Sequence, residues 1–158
     1  DVVCEPVPRT TVSLAYKLND AHTEYTVGAL LNPLVDRHLG MINLGYATKG
    51  QNNWAFDLTV QFHGDARIPS TSNNPTEYQV AARSPFHVIM NAQVTKTFKR
   101  LEVYAGAENL TNYRQPNAII ANDEPFGQYF DATMIWGPTM GINPYLGVRM
   151  SLNPKKKS

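Results

Sequence analysis

One cysteine, Cys4, is all the thiol chemistry in this chain of 158 residues. A lone thiol forms no internal disulfide and builds no metal site by itself. Charge of one sign is also missing, with 14 Lys and Arg against 13 Asp and Glu. That balance argues against a surface whose main business is nucleic acid. No apolar run reaches the roughly 18 residues that a membrane-crossing helix needs, and the mean hydropathy is negative. A membrane barrel stays open, because strands that alternate apolar and polar residues hide their hydrophobicity from such averages. Helical periodicity is absent. The histidines, His22, His38, His63 and His87, show no metal-ligand spacing. No glycine-rich phosphate loop and no Gly-x-Ser-x-Gly elbow occurs. Ser84 and His87 have the wrong spacing to share a strand face, which speaks against a Ser/His nucleophile. The sequence is therefore read as no enzyme, with no cofactor and no metal.

What is present is a period of two. Trp54, Phe56, Leu58, Val60 and Phe62 alternate with Ala55, Asp57, Thr59 and Gln61. This describes an extended strand with one oily and one mostly polar face. Its length is about the 9–11 residues of a tilted membrane-crossing strand. The pattern recurs, and seven strands are expected over 10–18, 23–31, 41–48, 53–63, 86–98, 100–108 and 142–152. Segment 1–8 is short and carries two prolines, so no strand is expected there.

The connections carry more information than the strands. Those at 19–22, at 49–52 and around Lys99 are short and polar, as hairpin turns should be. Those at 32–40, 64–85 and 109–141 are long. Short and long alternate, so an up-and-down antiparallel meander puts all tight turns at one end, as outer-membrane barrels do. Tyr16, Tyr46, Trp54 and Phe98 then fall toward the tight turns, and Phe62 and Phe86 toward the long loops. These are the expected aromatic girdles. Within 109–141, Asp123, Phe126, Tyr129, Asp131 and Trp136 combine aromatics with acids, which suits a rim that captures a small ligand. His63 and His87 fall near the same strand ends and read most plainly as ordinary rim histidines. The closing Lys155, Lys156 and Lys157 read as a solvated tail.

Residues 104–113 read YAGAENLTNY, residues 130–137 read FDATMIWG, and Tyr145-Leu146-Gly147-Val148-Arg149-Met150 follows a Gly-Ile-Asn-Pro turn. Together with barrel-like sequence over 40–64, this resembles the C-terminal strands of TonB-dependent outer-membrane receptors, particularly those of Bacteroides-like bacteria. Asn109 and Leu110 match the segment that leads from the penultimate strand into a long external loop. The resemblance implies a transmembrane β-barrel of about 22 strands around an N-terminal plug. About seven strands are supplied by residues 1–158, the C-terminal part, with the plug absent. It also implies energy-dependent uptake of a scarce ligand such as a metal chelate, vitamin or glycan. The expected partners are outer-membrane lipid, the remaining strands and plug, TonB acting through that plug, and the ligand. The expected location is the bacterial outer membrane. Two alternatives stay open: a small structural or adhesive outer-membrane barrel, and a soluble ligand-binding β-barrel.

Overall fold

The structure, a computed structural model, describes residues 1–26 and 28–151; Val27, Leu152 and the lysine tail lie outside the described residues. Its regular elements are strands β1 (Val2–Val7), β2 (Thr10–Leu18), β3 (His22–Tyr25), β4 (Gly28–Leu31), β5 (His38–Ala47), β6 (Trp54–His63), β7 (His87–Thr97), β8 (Leu101–Glu108) and β9 (Asn143–Met150), with one 3₁₀ turn at Thr76–Tyr78. Seven strands form one sheet in the order β1-β2-β5-β6-β7-β8-β9, and β3-β4 form a separate hairpin. Every neighbouring pair of strands is antiparallel. The expected all-β antiparallel meander is present. The sheet is not closed into a barrel.

One of the seven sheet strands differs from expectation. The 23–31 segment does not join the sheet. It folds back on itself, with Tyr25 opposite Gly28, and Gly28 takes a φ of 111°. That left-handed backbone costs glycine little and ends a straight strand there. Its place is taken by β1, which pairs with β2 from Val2↔Leu14 to Val7↔Thr10 despite Pro6. Register shifts between Cys4 and Val7, so Pro6 sits in an irregularity of an edge strand, where no ladder donor is missed. Arg9 turns the chain with a φ of 69°.

The phase of the first connections changes accordingly. The 19–22 segment is no tight turn but the start of a long connection, 19–37, that contains the β3-β4 hairpin. The tight turns are at 8–9, 48–53 and 98–100, and the long connections at 19–37, 64–86 and 109–142. The β2 strand therefore runs opposite to its expected direction, and Tyr16 lies at the long-connection end. There its hydroxyl meets His38 Nδ1 at 2.7 Å. Tyr46, Trp54 and Phe98 do lie at the tight-turn end, and Phe62 and Phe86 at the other.

Register assigns the two faces without ambiguity. One row reads Val12, Leu44, Leu58, Ala92 and Ala107, and the next Leu14, Ile42, Val60 and Met90. The opposite face carries Ser13, Asn43, Thr59 and Asn91, then Asp57, Gln93 and Tyr145. Its polar groups bond to one another: Asn43 Nδ2 donates to Thr59 Oγ1 at 2.9 Å, and Tyr145 Oη to Gln93 Oε1 at 2.9 Å. The apolar face has no such cover. Leu14, Leu44, Phe56, Val94, Leu146 and Val148 are all exposed. Among the described residues the buried apolar ones are few, namely Ala66, Ile68, Ile89, Ile120 and Ala121. Only Ile89 is a sheet residue, on the polar face near the long connections. What core exists lies among the connections, not under the sheet.

Candidate functional site

The long connections gather at one end of the sheet and hold two clusters. The first is an aromatic stack on the polar face. β6 ends at His63 and β7 begins at His87, and the ladder sets them opposite each other. Their rings stack at 4.6 Å and 10°. Tyr113, from the last long connection, stacks on His87 at 4.4 Å and 11°. Two near-parallel rings this close to His87 must occupy its two faces. Trp136 closes the side, 5.6 Å from His87 and 6.4 Å from Tyr113. His63 Nδ1 lies 2.7 Å from Asp36 Oδ2, which ties the first long connection to the same stack. His87 is 3% exposed, and its Nε2 and the Tyr113 hydroxyl are the buried side-chain atoms without a hydrogen-bond partner among the described residues. Burial raises the Tyr113 hydroxyl pKa above its ordinary value.

Asn109 places this stack. It is buried with a φ of 52°, so the chain turns sharply where β8 ends. Its amide donates to Tyr113 O at 2.7 Å and Met140 O at 2.9 Å, while its Oδ1 accepts from Tyr113 N at 3.1 Å. Gln115 does the same further on, donating to Met134 O at 2.7 Å and accepting from Trp136 N at 2.8 Å. Both amides pair the backbone of a segment that has no regular structure, as buried polar groups require.

The second cluster is a rim cleft of about 140 Å³ between the 3₁₀ turn and residues 117–123. Tyr78 donates to Asp123 Oδ2 at 3.3 Å, and its ring lies 6.0 Å from that of Tyr129 at 36°. Desolvation, and then the Asp123 charge, push the Tyr78 hydroxyl pKa up. Asn117 and Ala121 hold φ values of 49° and 50°, which bend the wall of the cleft.

The five residues expected to form one ligand rim are thus divided. Asp123 and Tyr129 meet at Tyr78. Phe126 is fully exposed and makes no ring contact with either cluster. Asp131 accepts from Thr133 N and Oγ1, both at 2.7 Å, and pairs its backbone with Ile120, so its carboxylate shapes a turn. Trp136 belongs to the histidine stack. Sequence reasoning missed Tyr78, whose connection shows no periodicity that could place it. It missed Tyr113 too, although that residue ends the quoted 104–113 stretch. No group of three or more His, Cys, Asp or Glu among the described residues is placed to hold a metal. The chemistry on offer is stacking and hydrogen bonding.

No family model, curated protein or solved structure matches this chain.

Proposed function

We propose that the chain is the C-terminal part of the barrel of a TonB-dependent receptor in a bacterial outer membrane. Its role there is uptake of a scarce ligand, a metal chelate, vitamin or glycan. The observation that carries this reading is the bare apolar face. A sheet with one polar, internally bonded face and one exposed face of Leu, Val and aromatic residues suits lipid on the outside and a wet lumen within. The segregation of tight turns and long connections supports the same orientation, with the two clusters at the external mouth. The sheet edges support it as well. β1 and β9 both run toward the tight-turn end, so they are parallel and cannot close an antiparallel barrel on each other. Further strands would pair with these edges, since an open edge in lipid leaves N–H and C=O groups unsatisfied. Trp136, Tyr129, Tyr78 and Asp123 then face incoming ligand, and the plug and TonB supply the energy-coupled step.

The test is genetic. A strain lacking the parent gene is grown on a panel of iron chelates, cobalamin and oligosaccharides as limiting nutrient. One nutrient class should fail to support growth, and the intact gene should restore it only when TonB is present. Normal growth on the whole panel, or rescue without TonB, contradicts the proposal.

A further inference from the structure

We infer that the tight-turn end of the sheet, centred on Lys96, is a docking surface for the headgroups of anionic phospholipids. This rests on the membrane reading above and adds to it a partner of stated chemistry.

Lys96 is out of pattern. It occupies the apolar face of β7, opposite Trp54, where Val88, Met90, Ala92 and Val94 precede it. Its ammonium is not lost in solvent. Nζ lies 4.7 Å from the Trp54 ring centroid and 5.8 Å from that of Phe98, and donates to Asn52 O at 3.1 Å. The aliphatic stem therefore runs along apolar surface while two rings and a turn carbonyl hold the charge at the level of the turns. On a lipid-facing surface that is the level at which phosphates lie.

The rest of that end is basic too. Arg9 lies in the first tight turn, Lys49 in the second, Lys99 and Arg100 in the third. Among the described residues of these turns and the strand ends beside them, the carboxylates are Glu5, near the first turn, and Glu102, which Arg149 pairs at 3.1 Å. The long connections have the reverse balance, eight carboxylates against four arginines. A chain of near-zero net charge is thus polarised along its strands. An antiparallel meander brings together at one end cations that lie far apart in sequence.

Two occupants fit a basic surface, an acidic protein and an anionic lipid. The surroundings of Lys96 favour lipid. Trp54, Phe56 and Phe98 around it are exposed apolar groups. A phospholipid offers acyl chain and phosphate side by side, whereas an acidic protein surface covers the cation and leaves the rings bare.

The experiment uses the parent protein, purified in detergent and reconstituted in phosphatidylcholine bilayers carrying trace spin-labelled lipid. The probes are phosphatidylglycerol and phosphatidylcholine labelled on the acyl chain, and the readout is the motionally restricted fraction of each. Phosphatidylglycerol should be held preferentially, and raised salt should weaken that preference. Lys96→Gln should lower its relative association by about fivefold, and Lys99→Gln with Arg100→Gln by a comparable factor per residue. Among the described residues the side chains of Lys99 and Arg100 hold no hydrogen bond or ion pair that the change would remove. Glu77→Gln, at the opposite end, should change nothing. If both lipids are restricted equally, or the variants match the parent, the inference fails while the membrane reading stands. If neither lipid is restricted, the membrane reading itself has failed. If soluble polyglutamate binds this end while the lipids show no preference, the surface serves an acidic protein and the lipid assignment is overturned.

Discussion

Asn109 is the residue on which the last long connection turns. Its buried amide answers three backbone groups, and its left-handed backbone suits Asn far better than Ala. Asn109→Ala leaves those groups unpaired and adds backbone strain, so it should cost about 2–4 kcal/mol. Asn109→Gly keeps the loss of hydrogen bonds but relieves the strain, and should be less harmful by about 1 kcal/mol. Denaturant unfolding in detergent micelles reads both. Two reciprocal pairs on the polar face show a different residue-level device. Tyr104 lies opposite Gly147, and Tyr145 opposite Gly106. Each tyrosine ring occupies the space where its facing glycine lacks a side chain, so a Cβ at either glycine meets the ring. Outside the strands, Arg83 pairs with Asp65, and its hydrogen bond is the chief cause that holds the Asp65 pKa below the ordinary carboxylate value. Such a group contributes stability above its unfolded pKa of about 4 and loses it as pH falls through the folded value. Asp65→Asn should therefore be less stable than the parent near neutral pH. The difference should close on acidification through that window, in matched thermal melts. A constant difference across pH contradicts the ion-pair account. The effect is small, because the pair is part-exposed and screened.

At the scale of elements, the two faces of a strand should respond differently to charge. Leu58→Arg or Val60→Arg puts a guanidinium on the apolar face and should cost about 2–4 kcal/mol near the bilayer midplane. Thr59→Arg or Gln61→Arg, toward the polar face, should cost much less. Equal sensitivity, measured by unfolding in bilayers, removes the case for lipid on one side. The histidine stack makes the connections one unit. Removing the ring of Trp136 by Ala should expose 109–142 to limited proteolysis while the strands stay protected; unchanged cleavage would mean that the stack does not hold the loop. Much at this scale was legible in the sequence, because a period of two is a local signal and register then follows from keeping like faces together. β5 through β9 are read from alternation alone. The failures have local physical causes. Alternation over 23–31 conceals the turn that Gly28 makes, since periodicity sees side chains and not φ. Proline argues against a strand at 2–7, yet an edge strand with a bulge tolerates it. A tight turn expected at 19–22 reverses β2, and Tyr16 with it. The candidate site was less legible. Tyr78, Asp123 and Tyr129 meet through contacts between separate connections, and no pattern along one segment encodes such a meeting.

Over the whole molecule, the sheet is a single layer with its small core displaced into the connections at one end. A soluble domain places its core beneath the apolar face of its sheet; here that face is bare. The sheet's two edge strands, β1 and β9, are open and parallel, and its charge is polarised along the strands. Released into water without detergent, residues 1–158 should aggregate, and a monodisperse, cooperatively unfolding monomer in plain buffer would favour a soluble ligand-binding barrel instead. The most direct test of the central claim is solvent accessibility by face. With Cys4 replaced by Ser, single cysteines carrying a spin label are placed at Leu44, Leu58 and Leu146 on the apolar face and at Asn43, Thr59 and Gln93 on the polar face, in the parent protein in bilayers. Collision with lipid-dissolved oxygen should dominate at the first three and collision with aqueous nickel chelate at the second three, alternating along each strand. Preferential nickel access at both sets would show that water bathes both faces, and would contradict the assignment of this sheet to a membrane.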